Sequence, residues 1–145
     1  MPSTVADLRS MSQPELDSLF RQSPSGPIPN GDYDGLALVR PGTRLEGPAA
    51  RFVKRLIWRG KVVDAGKGML ANKITVFNIH AVKAKVYAAA SWFDGNEAII
   101  LDYSQTSFIA RMIRDEIREV APGLYLGQVY WGRHRLLNFL LNSVA

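Results

Sequence analysis

An alternation of apolar and polar residues with a period of two marks the middle of the chain. In "VKAKVYAAAS" one face carries the apolar residues Val82, Ala84, Val86, Ala88 and Ala90. Successive side chains of a strand point to opposite faces of the sheet, so this pattern predicts a half-buried strand. The same spacing in "LANKITVFN" predicts a second strand, with Asn72 on its apolar face. The turn sequence at 94–96, Asp-Gly-Asn, then predicts a hairpin that returns as "EAIILDYS", because Gly and Asn tolerate positive φ.

The first part of the chain has helical spacing instead. Leu16, Leu19 and Phe20 recur at i, i+3 and i+4, which predicts a helix with one apolar face. Ser12 and Glu15 have the spacing of a capping box, so the helix is expected to begin at Ser12. It ends by "SPSGPIPNG". A second amphipathic pattern in "GPAARFVKRLIW" predicts another helix, and "GLALV" and "GKVVD" predict short strands.

Two interpretations compete for "RMIRDEIREVAPGLYLGQVYW", residues 111–131. In the first, one helix runs over residues 107–120. In the second, a short helix "TSFIARMI" gives way to two strands, "DEIREV" and "LYLGQVYW", joined at Pro122 and Gly123. The second is favoured because Pro-Gly between two runs of similar length is typical of a hairpin. It places Asp115 and Glu119 on one face, and Glu116 and Arg118 on the other.

These elements predict a single domain over residues 1–145. Residues 1–30 supply a helix and a Pro/Gly-rich linker, and residues 31–145 form the body. About six strands follow one another with short turns, which favours an antiparallel meander. The expected fold is α+β, with a curved antiparallel β-sheet or barrel. The N-terminal helix and one or two further short helices would plug or flank an end. Closure would remove exposed strand edges.

Short motifs add a resemblance to a known family. They are "GDYDG", "WRGK", "WFDGNEAIILDY" and "YLGQVY", spread over roughly residues 30–131. Together they resemble GXWXG and DUF4334-type small bacterial domains and, more distantly, lipocalin-like (calycin) barrels. Tyr33 stands where the family has Trp, and a helix is inserted near Phe108. The resemblance implies a small β-barrel-like domain whose apolar interior holds a small molecule. It implies no known catalytic residues.

Composition narrows the class of partner. The chain has 18 Lys and Arg against 13 Asp and Glu, a net charge of +5, and no Cys. The positive charge favours anionic ligands, but it is dispersed, and the aromatic residues alternate with aliphatic ones as core residues do, so nucleic acid is disfavoured. The apolar runs fall short of the ~20 residues of a membrane span. No signal peptide is apparent, and a cytoplasmic location is expected. The sequence does not decide whether the protein forms a homodimer.

Charged residues next to an aromatic run suggest a ligand site. Arg114, Asp115, Glu116 and Arg118 place two cations and two anions within five residues. One hypothesis is that Arg114 or Arg118 faces the interior and binds an acidic head group in bidentate fashion, held in place by Asp115 or Glu116. The rest of the site would be an apolar wall formed by Tyr125, Tyr130, Trp92 and Trp131. Asn72 would either line a polar spot in that pocket or face solvent at a sheet edge. The alternative is a solvated face with cross-strand ion pairs.

Catalytic candidates are few. Asp102 and Tyr103 end a strand that has a buried pattern, and a buried carboxylate is able to act as a general base. Asp115 and His80 complete the set. The alternatives are that Asp102 caps the next segment and that His80 is structural. The only other histidine, His134, is distant in sequence, so no metal site is expected. No cofactor motif is present, and no cofactor is expected.

Two functions therefore remain open. The first is binding of a small amphipathic or hydrophobic molecule, lipid-like or terpenoid-like and in one version acidic, in the interior of a barrel-like domain. The second is a cofactor-free enzyme, such as an isomerase, lyase or cyclase, that acts on such a molecule in the same pocket.

Overall fold

The computed structural model describes residues 4–38, 61–64, 69–72, 83–103 and 112–143. Within these ranges two helices precede eight strands. The helices are α1 (Val5–Ser10) and α2 (Gln13–Gln22). The strands are β1 (Gly31–Leu38), β2 (Lys61–Asp64), β3 (Met69–Asn72), β4 (Lys83–Ala90), β5 (Glu97–Asp102), β6 (Ile113–Ala121), β7 (Leu124–Trp131) and β8 (His134–Ser143). The helices predicted in "GPAARFVKRLIW" and near Phe108 lie outside the described residues.

The capping box predicted for α2 is present. The Ser12 hydroxyl accepts a hydrogen bond from the Glu15 N–H at 3.3 Å, and the Glu15 carboxylate accepts one from the Ser12 N–H at 3.0 Å. Helix α1 was not predicted, although Thr4 and Asp7 form a second capping box at its start. The structure thus has one more N-terminal helix than the apolar spacing indicated.

The strands form one antiparallel series. Each strand pairs with the next along the chain, and β1 pairs with β8 as well as with β2. The predicted α+β class with a curved antiparallel sheet is confirmed. The β4–β5 turn lies at 94–96, where Gly95 has φ of 77°. This is the left-handed conformation that glycine adopts without strain.

Residues 113–131 form a β-hairpin, so the hairpin interpretation is confirmed and the single helix over 107–120 is wrong. The turn is at Pro122 and Gly123, and Gly123 has φ of 73°. Cross-strand pairs such as Asp115 with Val129 fix the register. Alternate residues of β6 consequently point to opposite faces, with Asp115 on one face and Glu116 on the other.

The two faces of the sheet have different partners. The inner face carries an apolar cluster, to which six strands and Tyr103, the residue after β5, contribute. Its members are Tyr33, Val86, Ile99, Leu101, Tyr103, Ile113, Ile117, Tyr125, Val129, Leu137, Phe139 and Leu141. The outer face of β1, β7 and β8 packs against the helices through a second cluster: Leu8, Leu16, Phe20, Leu38, Leu124, Leu126 and Leu140. Helices α1 and α2 therefore cover the outer face, and the expectation that the N-terminal helix plugs or flanks a barrel end is corrected.

Candidate functional site: a cationic cleft on the outer face

The outer face of β6 carries a buried carboxylate, Glu116, which is fully enclosed. Its Oε1 accepts a hydrogen bond from the Ser91 hydroxyl at 2.5 Å, and its Oε2 accepts one from the Trp92 N–H at 2.8 Å. Arg114, two residues earlier on β6, donates to the same Oε2 from Nε at 3.2 Å. Glu116 thereby fixes the start of the β4–β5 turn to the sheet, and with it the position of Trp92.

Trp92 is in contact with two arginines. The guanidinium carbon of Arg114 and that of Arg133 each lie 4.2 Å from the centroid of the Trp92 ring. Tyr130 packs edge-on against the same ring, with centroids 5.4 Å apart. A guanidinium at this distance is attracted by the negative face of the indole. The Trp92 ring is therefore in contact with two cations, and Trp92 itself stays 37% exposed.

A cleft of about 360 Å³ opens beside these residues. Its lining comes from the β4–β5 turn, the end of β5, the start of β6 and the β7–β8 turn. The lining residues are Trp92, Asp102, Met112, Ile113, Arg114, Gly132 and Arg133. The volume lies within the range of small-molecule sites, and the lining combines apolar, cationic and acidic groups.

The two cations differ in how far the protein already uses them. Arg114 donates from Nη2 to the Ala90 carbonyl at 2.9 Å and forms an ion pair with Glu116 at 3.1 Å. Its Nη1 makes no hydrogen bond within the described ranges. Arg133, on an exposed turn, forms no ion pair with a described carboxylate. Arg133 is therefore the cation that is most available to an anionic ligand.

Asp102 forms the acidic part of the lining. The Tyr87 hydroxyl donates to its Oδ2 at 2.9 Å. The pKa of Tyr87 is raised above its ordinary value of 10.0, mainly by burial and in addition by this hydrogen bond to a carboxylate. Burial also raises the pKa of Tyr130, to about 12. Both phenols consequently remain neutral at physiological pH.

Arg118 has a different environment from Arg114, although both lie on the outer face of β6. It is 1% exposed, and its five N–H groups all donate to protein oxygens. Asp94 receives two of them at 2.7 Å, and the remaining three go to the carbonyls of Phe20, Asn96 and Glu97. The hypothesis that Arg118 binds a ligand head group in the interior is corrected, because it faces α2 and has no N–H left to donate.

The inner face also carries a carboxylate that is buried among apolar residues. Asp115 is 3% exposed, and the hydroxyl of the fully buried Tyr103 donates to its Oδ2 at 3.4 Å. Leu101 and Val129 are its cross-strand neighbours. Two of the four catalytic candidates are thus adjacent. Asp102 lies apart from them on the outer face, and His80 lies outside the described residues.

The predicted apolar wall is divided between the two faces. Trp92 and Tyr130 meet on the outer face. Tyr125 is inside, where its ring packs edge-on against Tyr33 and its hydroxyl donates to the Pro27 carbonyl at 2.6 Å. Trp131 also packs against the inner cluster. The prediction of a single aromatic wall around one ligand is therefore corrected, because the aromatic residues form two separate groups on the two faces of the sheet.

Several other residues bear on the site. Asn72 lies in β3, opposite Lys61, and its side chain is outside the described set. Arg114 does not face an interior cavity as expected, but it does reach Trp92, which was predicted to share its site. Arg133 and Met112 were missed. The basic turn "GRHR" was the signal for Arg133, whereas Met112 carried none.

The described part of the chain offers neither a metal site nor a helix that could span a membrane. Among those residues no group of three or more His, Cys, Asp or Glu has the arrangement of a metal site. None of the helices described there has the length and apolar character to cross a membrane.

The comparisons with known proteins bear on the fold. No family model matches the chain, and no curated protein matches it. A solved structure described as "Crystal structure of protein from Thermomonospora curvata" is similar, with a TM-score of 0.61 and 17% identity, over 93% of this chain and 89% of that chain. At this identity the similarity shows the fold alone.

Proposed function

We propose that this protein binds a small amphipathic molecule with an acidic head group, and that the ligand occupies the outer cleft. The observation that carries the proposal is the pair of guanidinium groups, Arg114 and Arg133, over the Trp92 ring at the edge of that cleft. Guanidinium groups bind carboxylates and phosphates through planar, bidentate hydrogen bonds. Trp92 and Met112 supply exposed apolar surface for the rest of the ligand.

The outer cleft is a better site than the interior on packing grounds. On the inner face Phe139 is fully buried, and its ring covers Gly127 so closely that a Cβ at that position would lie 2.3 Å from the ring. Tyr103 and Tyr125 are also buried there. The described inner face is consequently well filled, whereas the cleft beside Trp92 is open to a ligand.

The body of the protein is proposed to be a lipocalin-like barrel. The closed series of strand pairs supports this description. The relationship to GXWXG and DUF4334-type domains, which rests on short motifs, stays a prediction, as does the cytoplasmic location.

Ligand binding is tested first with pairs of probes that differ only in charge. Small aromatic and aliphatic carboxylic acids and alkyl phosphates are each compared with their neutral methyl esters by calorimetric titration, with Trp fluorescence as a second readout. We expect at least one acid to bind more tightly than its ester. Arg133→Met should weaken the binding of that acid by about 1.5–3 kcal/mol, the range for hydrogen bonds to charged groups, and leave the binding of the ester unchanged.

The matched control for this experiment is Arg9→Met, which removes the same charge from exposed helix α1, away from the cleft. If Arg9→Met and Arg133→Met weaken the binding of the acid equally, the effect comes from net charge alone, and the cleft is not the binding site. If no acid is preferred over its ester, acid recognition is excluded.

A second candidate function is catalysis by a cofactor-free enzyme. The observation that favours it is the buried Asp115 carboxylate beside the Tyr103 hydroxyl, because a carboxylate enclosed by apolar residues is typical of general bases. Asp115→Asn would then abolish turnover of a bound molecule while leaving its affinity nearly intact. Unchanged turnover in this variant would exclude the role.

A further inference from the structure

Two large apolar side chains are exposed within the described ranges, and both lie beside the outer cleft. They are Trp92, which is 37% exposed, and Met112, which is 45% exposed. The β7–β8 turn connects them. The Gly132 N–H donates to the Met112 carbonyl at 2.9 Å, and the guanidinium carbon of Arg133 lies 4.2 Å from the centroid of the Trp92 ring. We call the surface formed by Trp92, Met112, Arg114 and Arg133 the Trp92 patch.

The charges around the Trp92 patch favour an anionic partner. Lys85, Asp102 and Arg114 are in register across β4, β5 and β6, so Asp102 has a cation at the neighbouring position on each side. Arg114 also pairs with the buried Glu116 at 3.1 Å. The two cations and two anions are equal in number, which leaves Arg133 as the excess cation on an exposed turn. The net charge of +5 on the whole chain acts in the same direction.

The size of the patch favours a lipid surface over a protein partner. A stable protein–protein interface buries roughly 800 Å² on each partner, which two exposed side chains do not supply. A second copy of this chain would also place the patch against itself, with guanidinium groups facing guanidinium groups. A peripheral contact with a bilayer requires less, because it is made by a tryptophan at the level of the head groups and by cations beside anionic lipids.

We propose that the Trp92 patch docks this protein on the surface of an anionic lipid bilayer. Trp92 and Met112 insert among the head groups, and Arg133 contacts the lipid phosphates. A bilayer in this position lies at the mouth of the cleft, so an amphipathic acid reaches the cleft from the lipid. That last step rests on the proposed function, whereas the docking itself does not.

Docking is measured by co-sedimentation of the full chain with two kinds of vesicle. One is phosphatidylcholine alone, and the other is an equimolar mixture of phosphatidylcholine and phosphatidylglycerol. We expect binding to the anionic vesicles to be at least about fivefold tighter, as one exposed cation near an anionic surface implies, and to weaken as salt is added. Brominated lipid in the anionic vesicles should quench the fluorescence of Trp92, measured in a variant without the other tryptophans.

Two surface variants locate the contact. Met112→Ser removes exposed apolar area and should weaken binding to the anionic vesicles about three- to tenfold. Arg133→Gln removes a cation and should weaken it about fivefold. The matched control is Arg9→Gln, which removes the same charge from exposed helix α1 and should change binding less than about twofold, because the attraction falls off with distance from the surface.

Several results would overturn the docking surface. They are a protein that stays in solution with both kinds of vesicle, equal binding to neutral and anionic vesicles, and Trp92 fluorescence that brominated lipid does not quench. Binding by Met112→Ser and Arg133→Gln that equals that of the wild type, or a loss in Arg9→Gln as large as in Arg133→Gln, has the same consequence. A dimer in sedimentation velocity that Met112→Ser dissociates would assign the patch to a second copy of the chain and also overturn the proposal.

The proposed function is tested separately, by titration of soluble acids without vesicles. If no soluble acid binds but the vesicle results are as expected, the docking surface stands and the acid-binding cleft does not. If soluble acids bind through Arg133 but the protein does not bind anionic vesicles, the cleft stands and the docking surface is overturned.

Discussion

Arg114 and Arg118 are four residues apart on the same face of one strand, yet they belong to different kinds of structure. Arg118 is 1% exposed and donates to one carboxylate and three backbone carbonyls. Arg114 is partly exposed, retains an unused Nη1 and lies over Trp92 at the edge of a cleft. Sequence spacing makes these two residues equivalent, and their neighbours make them different.

The difference comes from what covers each end of the strand. Helix α2 lies over Arg118, contributing the Phe20 carbonyl and the Phe20 ring, whose centroid is 4.4 Å from the guanidinium carbon. Arg114 lies beyond the helix, where its contacts from the β4–β5 connection are the Trp92 ring and the Ala90 carbonyl. A buried arginine must satisfy all its donors within the protein, whereas one at a cleft keeps donors for a ligand.

The largest expected effect is on the Arg118 end. Arg118→Met should lower the free energy of unfolding by about 3–5 kcal/mol, because it leaves Asp94 without its cation and removes one hydrogen bond from each of three carbonyls. Urea denaturation measures this. Arg21→Met is the control: its guanidinium lies 4.5 Å from the Phe93 ring on the helix surface, and its loss should cost at most about 1 kcal/mol. Equal losses in both variants would remove the distinction between a buried and a surface arginine.

Glu116 lies between the two arginines on β6, and its neutralisation should have the next largest effect on stability. Glu116→Gln keeps the size of the side chain but places an amide nitrogen where three donors converge, and it removes the negative charge beside Arg114. We expect a loss of about 1.5–3 kcal/mol in the free energy of unfolding. The fluorescence of Trp92 should change as well, measured in a variant without the other tryptophans. An unchanged spectrum would show that Glu116 does not position Trp92.

Acid should weaken the Arg118 end in a defined pH range. The hydrogen bonds from Arg118 hold the pKa of Asp94 below its ordinary value of 3.8. A depressed folded-state pKa contributes stability that is fully present above 3.8 and is lost as the pH falls through the folded value. Asp94→Asn should therefore be less stable than the wild type by on the order of 1 kcal/mol at neutral pH. The difference in stability between the wild type and Asp94→Asn should disappear below pH 3.8. A difference that grows below this pH would contradict a lowered pKa of Asp94.

The smallest expected effect on stability is at the cleft. Arg133→Met should change the free energy of unfolding by no more than about 0.5 kcal/mol, as for an exposed residue without an ion pair in the described structure. Thermal and urea denaturation measure it. A loss that approaches that of Arg118→Met would show that Arg133 serves the fold and not a ligand.

The elements of the fold were largely readable from the sequence, because they depend on local patterns. Period-two alternation gave the strand around Val86, and Ser12 with Glu15 gave the start of α2. The hairpin at Pro122 followed from turn chemistry. Helix α1 was missed because its six residues bury only Leu8, which is too little for a repeating apolar pattern. The position of the helices was also missed, because an apolar helix face does not indicate which side of a sheet it covers.

The site was only partly readable. The sequence grouped Arg114, Trp92 and Tyr130 in one hypothetical site, and the β4–β5 and β6–β7 hairpins bring Arg114 and Tyr130 into contact with Trp92. It placed Arg118 with them, because the hydrogen bond to Phe20 joins residues 98 positions apart and leaves no local signature. Arg133 reaches Trp92 by the same kind of long-range contact. The alternation of side chains along a strand predicted which residues share a face of the sheet. It did not predict which of the two faces the helices cover.

The attachment of α2 to the sheet has a consequence for how the chain folds during synthesis. The helix binds through Phe20 to Arg118, through Asp17 to Arg135 and through Gln13 to Asn138, with separations of 98, 118 and 125 residues. At about 5–20 residues per second the ribosome needs roughly 5–25 s to complete those partners. Helix α2 therefore emerges with its apolar face uncovered and docks only when the last strands are in place. Nascent chains stalled before Arg118 should expose α2 to protease, and chains extended past Asn138 should protect it.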